Sequence, residues 1–358
     1  MALGNSGELN ANVLPQNGTV RLGIIGCGAI SADFHLPAAL RSPRIEVTAL
    51  VDRDMDRLRA LSRQYACSAK LAPSLEAVLG DVDAVIVATP NNTHAPIARA
   101  ALERRVAVLV EKPLATSYAD CAALCALAER QGTLLAVGYN SRYAPVAGLM
   151  KRLLNERFFG RIEHVHFEYG TAGGWAPLSG YNLSREQSGG GVLVVTGTHA
   201  IDRMLYWFGE PARVVYADDN HGGVEANCKA WLEFDNELGR FTGSFFFSKT
   251  VDLRNGLTIE SEDGRVELPH ASHSDITWLP KGTPGVQQII RPSHVGPVDT
   301  YQLQMDNFAA AVLGVRVPIV DGTAGAQSVK FFEQCYGIRV PLPEPWAWYV
   351  GAREAATR

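Results

Sequence analysis

The sequence predicts an α/β protein: a doubly wound parallel sheet first, then an α+β domain built on an antiparallel sheet. Three observations carry that expectation. The chain has 358 residues, more than one hydrophobic core usually supports, so two domains are expected. Its first 140 residues alternate apolar, β-branched runs with helical patterns. After Arg142 the apolar residues fall instead at every second position.

In the first part, VRLGIIG (20–26), IEVTALVD (45–52), DAVIVAT (83–89), VAVLVEK (106–112) and TLLAVGY (133–139) read as strands. Their near-continuous apolarity suits a parallel sheet covered on both faces. Helical stretches lie between them, such as DMDRLRALSRQYA and SYADCAALCALAERQG. In the latter, Ser117 or Thr116 caps the start and Gly132 the end. The second part opens with a helix, APVAGLMKRLLNE, and an alternating strand, RIEHVHFEY. A glycine-rich loop with aromatic residues, Gly170 to Gly191, leads to a helix over 189–208. Period-two strands follow in RVVYADD, ANCKAWLEFD, GRFTGSFFFSK, GLTIESEDG and RVELP, then helices around 298–314 and 323–339. A sheet patterned this way keeps one face open to water or to a second copy of the chain. The expected division is a loose arm over 1–19, a nucleotide-binding domain over 20–142, and an α+β domain over 143–358.

Composition narrows the function. The chain is 47% hydrophobic and 20% charged, with a net charge of −4, ordinary for a globular enzyme. No block of Lys and Arg marks it for nucleic acid, and no apolar run has the length of a membrane span. Residues 1–19 lack the basic start and apolar stretch of a secretory signal. The six cysteines form no CxxC pair, so no metal site is expected. They read as buried free thiols of a cytoplasmic protein.

The first chemical motif is GIIGCGAIS. Gly26 and Gly28 follow the first strand and open a helix. The first permits a tight turn and the second lets the backbone approach a pyrophosphate. The helix start at Ala29 and Ile30 supplies amide donors to that anion, and Ser31 is small enough for close helix–sheet packing. This is the dinucleotide-binding pattern of a Rossmann domain. Asp52 ends the second strand, where a carboxylate accepts bonds from the adenosine ribose or else caps the next helix. Such a charge repels a 2′-phosphate, so NAD is the preferred cofactor. Arg53 keeps NADP open, since it stacks on adenine or grips that phosphate.

ATPNNTH, EKPLATS, GYNSRYAP and GGGVLVVTGTHAID, in that order, resemble the glucose–fructose oxidoreductase/inositol dehydrogenase/MocA family over roughly residues 20–340. The resemblance implies a second domain with a large, mostly antiparallel sheet, paired into homodimers or homotetramers. It implies that Thr89, Pro90, Asn91 and His94 line the nicotinamide half of the cofactor. Glu111 and Lys112 then stand at the nicotinamide ribose and the reacting carbon. Read without the family, Lys112 still lies at the carboxyl end of a parallel strand, where open α/β sheets bind ligands.

The implied chemistry is hydride transfer between nicotinamide and a secondary alcohol or ketone of a sugar, sugar derivative or cyclitol. The alcohol oxygen needs a group that exchanges its proton near neutral pH, which His199 supplies, and an ammonium at Lys112 polarises the same oxygen. The family often carries an aspartate four residues before this histidine, on the same helical face. Here that position is Val195. Asp202, one turn on, either bonds the imidazole or makes another contact. Tyr139, Asn140 and Arg142 are expected near the same cleft, with Asn140 toward the cofactor and Arg142 toward a substrate carboxylate or phosphate. Trp175, Tyr181 and Asn182, with Arg185, are candidates for holding a sugar ring. Two other functions compete with the dehydrogenase: an NAD-dependent glycosidase that oxidises C3 transiently, and a catalytically silent dinucleotide-binding sensor, which Val195 keeps open.

Overall fold

A computed structural model describes residues 18–173, 180–220, 222–269, 275–292 and 300–342. The expected arm over 1–19 falls almost wholly outside them, as does Trp175.

The chain divides into two compact units. One runs to Gly138 and takes in Asp299–Ala326, and the other comprises Tyr139–Val298 with Gln327 onward. The first unit holds β1 (Val20–Ile25), α1 (Leu36–Arg41), β2 (Ile45–Val51), α2 (Met55–Gln64), β3 (Lys70–Ala72) and β4 (Ala84–Val87). Then come α3 (His94–Glu103), β5 (Ala107–Val110), α4 (Tyr118–Gln131) and β6 (Leu135–Val137). Its six strands lie in the order β3-β2-β1-β4-β5-β6, every pair parallel. Strands β1, β4, β5 and β6 are buried along most or all of their length, as expected of a sheet covered on both faces. Helix α4 starts and stops where the sequence places its caps. The Ser117 side chain accepts the Asp120 N–H, and Gly132 takes the left-handed conformation at φ 59°. Strand β3 has three residues, too few for periodicity to reveal.

The second unit holds α5 (Pro145–Asn155), β7 (Ile162–Gly170), α6 (Arg185–Ser188), α7 (Val192–Val195), α8 (Thr198–Phe208) and β8 (Arg213–Asp218). Strands β9 (Asn227–Asn236), β10 (Gly239–Ser248), β11 (Gly256–Ser261), β12 (Gly264–Pro269), β13 (Ile276–Pro280) and β14 (Gln288–Ile290) follow. With β15 (Val340–Pro341) they form a nine-stranded sheet in the order β14-β13-β12-β11-β7-β10-β9-β8-β15. Only the β7–β10 and β8–β15 pairs are parallel. One face packs on a core that includes Phe167, Phe208, Phe245, Phe247 and Trp207. On the other, Trp231 is 48% and its cross-strand neighbour Val215 47% exposed.

Two sequence expectations need correction. Helix α9 (Thr300–Val312) belongs to the first unit, not to a continuous domain over 143–358. Its Met305, Phe308 and Ala309, with Leu313 just beyond, join the core cluster of Leu36 and Ala39. Asp306 accepts a bond from Ser42 at 2.8 Å. The division then falls within α10 (Gly322–Gly337). Second, the helix expected over 189–208 is interrupted. Segments α7 and α8 replace it, and the Gly197 N–H reaches back five residues to the Val192 carbonyl, at 2.9 Å. Such a wide turn rotates everything after it relative to everything before. Gly197 is pressed against Phe247, which a Cβ would meet at 2.5 Å. Val195 and His199 therefore do not share one face of a regular helix.

Among the described residues, no helix is long and apolar enough to cross a membrane, and no cluster of three metal-ligating side chains occurs.

Candidate dinucleotide and catalytic sites

In the first unit, Gly26 has φ 89°, and a Cβ there would lie 2.5 Å from the Ala88 carbonyl oxygen. Only glycine fits this turn. Ser31 is fully buried and donates to the Gly26 carbonyl at 2.5 Å, tying the helix start to the turn. Gly28 is different: a Cβ there would meet nothing within 4 Å. The protein's own packing does not require glycine at 28, whereas the close approach of a pyrophosphate does. The helix begins at Ala29 and Ile30, whose amides are among the first in the helix and have no intrahelical acceptor. These residues fit a dinucleotide.

Asp52 follows β2 and accepts the Cys27 N–H at 2.9 Å and the Asp54 N–H at 2.9 Å. The cap of α2 is Asp54, which accepts from the Asp56 and Arg57 amides. Asp52 also faces Arg57, Nη1 to Oδ2 at 3.2 Å, a partner that sequence reading missed. Arg53 is exposed. Burial, and next the Asp52 charge, push the Cys27 thiol up to about 12, so it is inert as a nucleophile.

The TPNNTH and EKP loops are joined through His94. Its Nδ1 lies 2.8 Å from the Pro113 carbonyl and its Nε2 2.8 Å from the Thr89 carbonyl. With 1% exposure, His94 acts as an internal brace between the loops. Thr93 bonds Thr89 Oγ1 at 2.6 Å and the Pro90 carbonyl at 2.7 Å, while Asn91 begins the short turn before α3.

Glu111 is turned inward. Its Oε1 lies 2.9 Å from His35 Nε2, its Oε2 accepts the Lys112 N–H at 3.1 Å, and Gly138 leaves room for it. Burial would raise the Glu111 carboxyl, but the His35 bond and charge, then the Lys112 charge, outweigh it and hold the group low. His35 itself is fully buried and packs edge-on against Tyr301, 5.3 Å between centroids. Lys112, half-buried, precedes a cis bond to Pro113. Its ammonium makes no hydrogen bond or ion pair among the described residues.

In the second unit, His199 lies in the first turn of α8 and is half-buried. Its ring stands edge-on to Tyr139 at 6.2 Å, and the fully buried Tyr139 hydroxyl is 3.2 Å from Thr198 Oγ1. Asp202 belongs to Arg142: the guanidinium donates to its two oxygens at 2.7 and 3.0 Å and lies 4.0 Å above the Tyr206 ring. The side chains of Arg142 and Asp202 are 7% and 0% exposed. Asp202 accounts for the Arg142 charge without any ligand, so the expected substrate contact of Arg142 finds no support. Burial pushes the Asp202 carboxyl up although Arg142, at contact, pulls it down. Asn140 sits in the turn that follows Tyr139. Tyr181 and Asn182 occupy another short turn and are half-buried.

The glycine run before α7 has its own explanation. The buried Glu225 carboxylate accepts the Gly191 and Leu193 N–H groups at 3.0 Å and the Tyr336 hydroxyl at 2.8 Å. A Cβ at Gly190 or Gly191 would collide with Tyr336 or with Glu225 itself.

A glycine turn, an acid after the second strand and a lysine after the fifth define a dinucleotide-dependent α/β protein. The chain matches the description "Oxidoreductase family, NAD-binding Rossmann fold" over residues 20–139 and "GFO/IDH/MocA C-terminal domain" over 149–267. It is 36% identical to a dTDP-3,4-didehydro-2,6-dideoxy-alpha-D-glucose 3-reductase of Streptomyces violaceoruber, over 80% of this chain and 84% of that one. With D-xylose 1-dehydrogenase (NADP(+)) 2 of Haloferax volcanii the identity is 28%, over 88% and 95% of the two chains. In fold it resembles the aldose-aldose oxidoreductase of Caulobacter crescentus crystallised with glycerol. The TM-score is 0.80 at 24% identity, covering 89% of this chain and 97% of that one. The chain belongs to the GFO/IDH/MocA oxidoreductase family.

Proposed function

We propose that this protein is an NAD(P)-dependent dehydrogenase or reductase acting on a secondary alcohol or ketone of a sugar or sugar derivative. The observation that carries the reading is Lys112: an ammonium with no hydrogen bond or ion pair among the described residues, at the carboxyl end of a parallel strand. Full-length relatives named as sugar dehydrogenases and nucleotide-sugar reductases support the substrate class. When bound, the nicotinamide supplies or accepts the hydride. The Lys112 ammonium polarises the alcohol oxygen, and the His199 imidazole takes its proton or returns it. Tyr139 and Thr198 hold the start of α8, and His35 and Glu111 hold the EKP loop behind Lys112. Tyr181 and Asn182 are candidate sugar contacts. Asp52 by its own charge favours the dinucleotide with a free 2′-hydroxyl, and Arg57 opposite it offsets that preference. The six free cysteines suit the cytoplasm, and the exposed Trp231 face suits pairing of two copies.

The test is nicotinamide reduction or oxidation over a panel of sugars and keto-sugars. Lys112→Ala and His199→Ala each lower kcat/KM by about a hundredfold or more on the substrate found, with dinucleotide affinity kept. If both variants turn over like the wild type, these two residues are not the catalytic pair.

A further inference from the structure

We infer that Arg57 sets how this protein discriminates between NAD and NADP: it balances the charge of Asp52 and admits a 2′-phosphate at the adenosine ribose. The inference rests on the dinucleotide reading of the first unit and is independent of the roles given to Lys112 and His199.

Asp52 is already engaged. One oxygen accepts the Cys27 N–H of the glycine turn, the other the Asp54 N–H at the start of α2. The same carboxylate faces Arg57 Nη1 at 3.2 and 3.5 Å. A carboxylate has about four acceptor sites, so these donors occupy most of them. Asp52 therefore works first as a clasp that closes the glycine turn against the end of β2 and the entrance to α2. A ribose diol must share it with two backbone amides and a guanidinium.

The charge at this position also differs from that of a lone acid. An unpaired carboxylate repels a 2′-phosphate, whereas the Asp52–Arg57 pair presents no net charge. The two partners are unequally placed. The Asp52 side chain is 12% exposed and fixed by backbone, while Arg57 is 50% exposed, so only the cation is free to turn. Its second tie is a 3.5 Å approach to Asp54, one turn back on the helix, which is weak at such exposure. Arg57 meets Asp52 through Nη1 alone, and a planar guanidinium that swings to a phosphate exchanges that single-nitrogen contact for a two-point one. Among the neighbouring arginines, Arg59 is drawn away by Asp56 at 2.6 Å. Arg53, exposed on the residue after Asp52, is a second cation and makes no hydrogen bond to Asp52 among the described residues.

The experiment is equilibrium binding of NADH and NADPH to the full chain, followed by nicotinamide fluorescence and checked by calorimetry with NAD and NADP. The wild type binds the two within about tenfold of each other. Arg57→Gln weakens the 2′-phosphorylated dinucleotide by about tenfold and changes the other by less than about threefold, so the ratio itself moves. Arg57→Lys keeps most of the NADPH affinity, and Arg53→Gln moves the ratio less than Arg57→Gln does. Each ratio is taken on one protein sample, so a partly folded variant cannot mimic the result. A ratio that shifts by less than about fivefold in Arg57→Gln overturns the role of Arg57, as does an equal loss of both dinucleotides. A wild type that binds neither overturns the dinucleotide reading as well.

Discussion

Glu111 in the first unit and Glu225 in the second are both buried carboxylates that accept backbone N–H groups at the end of a loop. They titrate in opposite directions. For Glu111, burial pushes the carboxyl up, but the bond and charge of His35 and the charge of Lys112 pull it below its ordinary 4.5. For Glu225, burial again pushes up, and the groups facing it are N–H and O–H donors and the like-charged Asp218. The push prevails. Asp202 marks the limit of the rule: with Arg142 at 2.7 Å, complete burial still keeps it raised. A partner alone does not decide the charge of a buried acid; the balance of desolvation against all facing charges does. The first-unit acid is an electrostatic fitting around the lysine loop, and the second-unit acid is a cap for the chain entering α7.

The comparison breaks or sharpens under substitution. The largest effect belongs to Arg142→Met, which leaves Asp202 buried without its cation and costs about 3–5 kcal/mol in urea unfolding. An undiminished stability would mean the pair contributes only packing. Next come the matched changes Glu111→Gln and Glu225→Gln. At pH 7 the first removes a favourable buried charge and costs about 2 kcal/mol, while the second replaces an acid whose burial already favours the neutral form and lies within about 0.5 kcal/mol of neutral or is stabilising. Losses of equal size and sign would erase the distinction between the two acids.

The smallest effect is in pH. Because Glu111 titrates below 4.5 in the folded protein, the stability it lends is complete above that pH and disappears as the pH falls through its lower folded value. Glu225 titrates above 4.5, so its contribution is complete below 4.5 and is lost as the pH rises through its higher folded value. Melting curves of the two glutamine variants against the wild type from pH 3 to pH 7, a range of about four units, therefore diverge in opposite directions.

What was legible in the sequence was local. Gly26, Gly28 and Asp52 stand on one strand–turn–helix–strand unit, where spacing alone places them, and the caps of α4 follow from residues at its ends. The pairings that escaped notice depend on contacts far apart in the chain. His35 meets Glu111 across 76 positions, and Arg142 meets Asp202 across 60. Arg57 lies only five residues from Asp52, but its role depends on where α2 begins. Of the contacts left open for Asp202, the ion pair with Arg142 comes from a residue outside the helix.

By itself the sequence determined the two kinds of sheet, the glycine turn and the lysine at the end of β5, because periodicity and backbone freedom are properties of short segments. Tertiary structure alone decided which charges face one another and where the second-unit helix breaks. Phe247 on β10 leaves no room for a side chain at Gly197, and His35 on the far side of a loop turns Glu111 away from solvent. Such outcomes depend on distances through space, and spacing along the chain does not encode them.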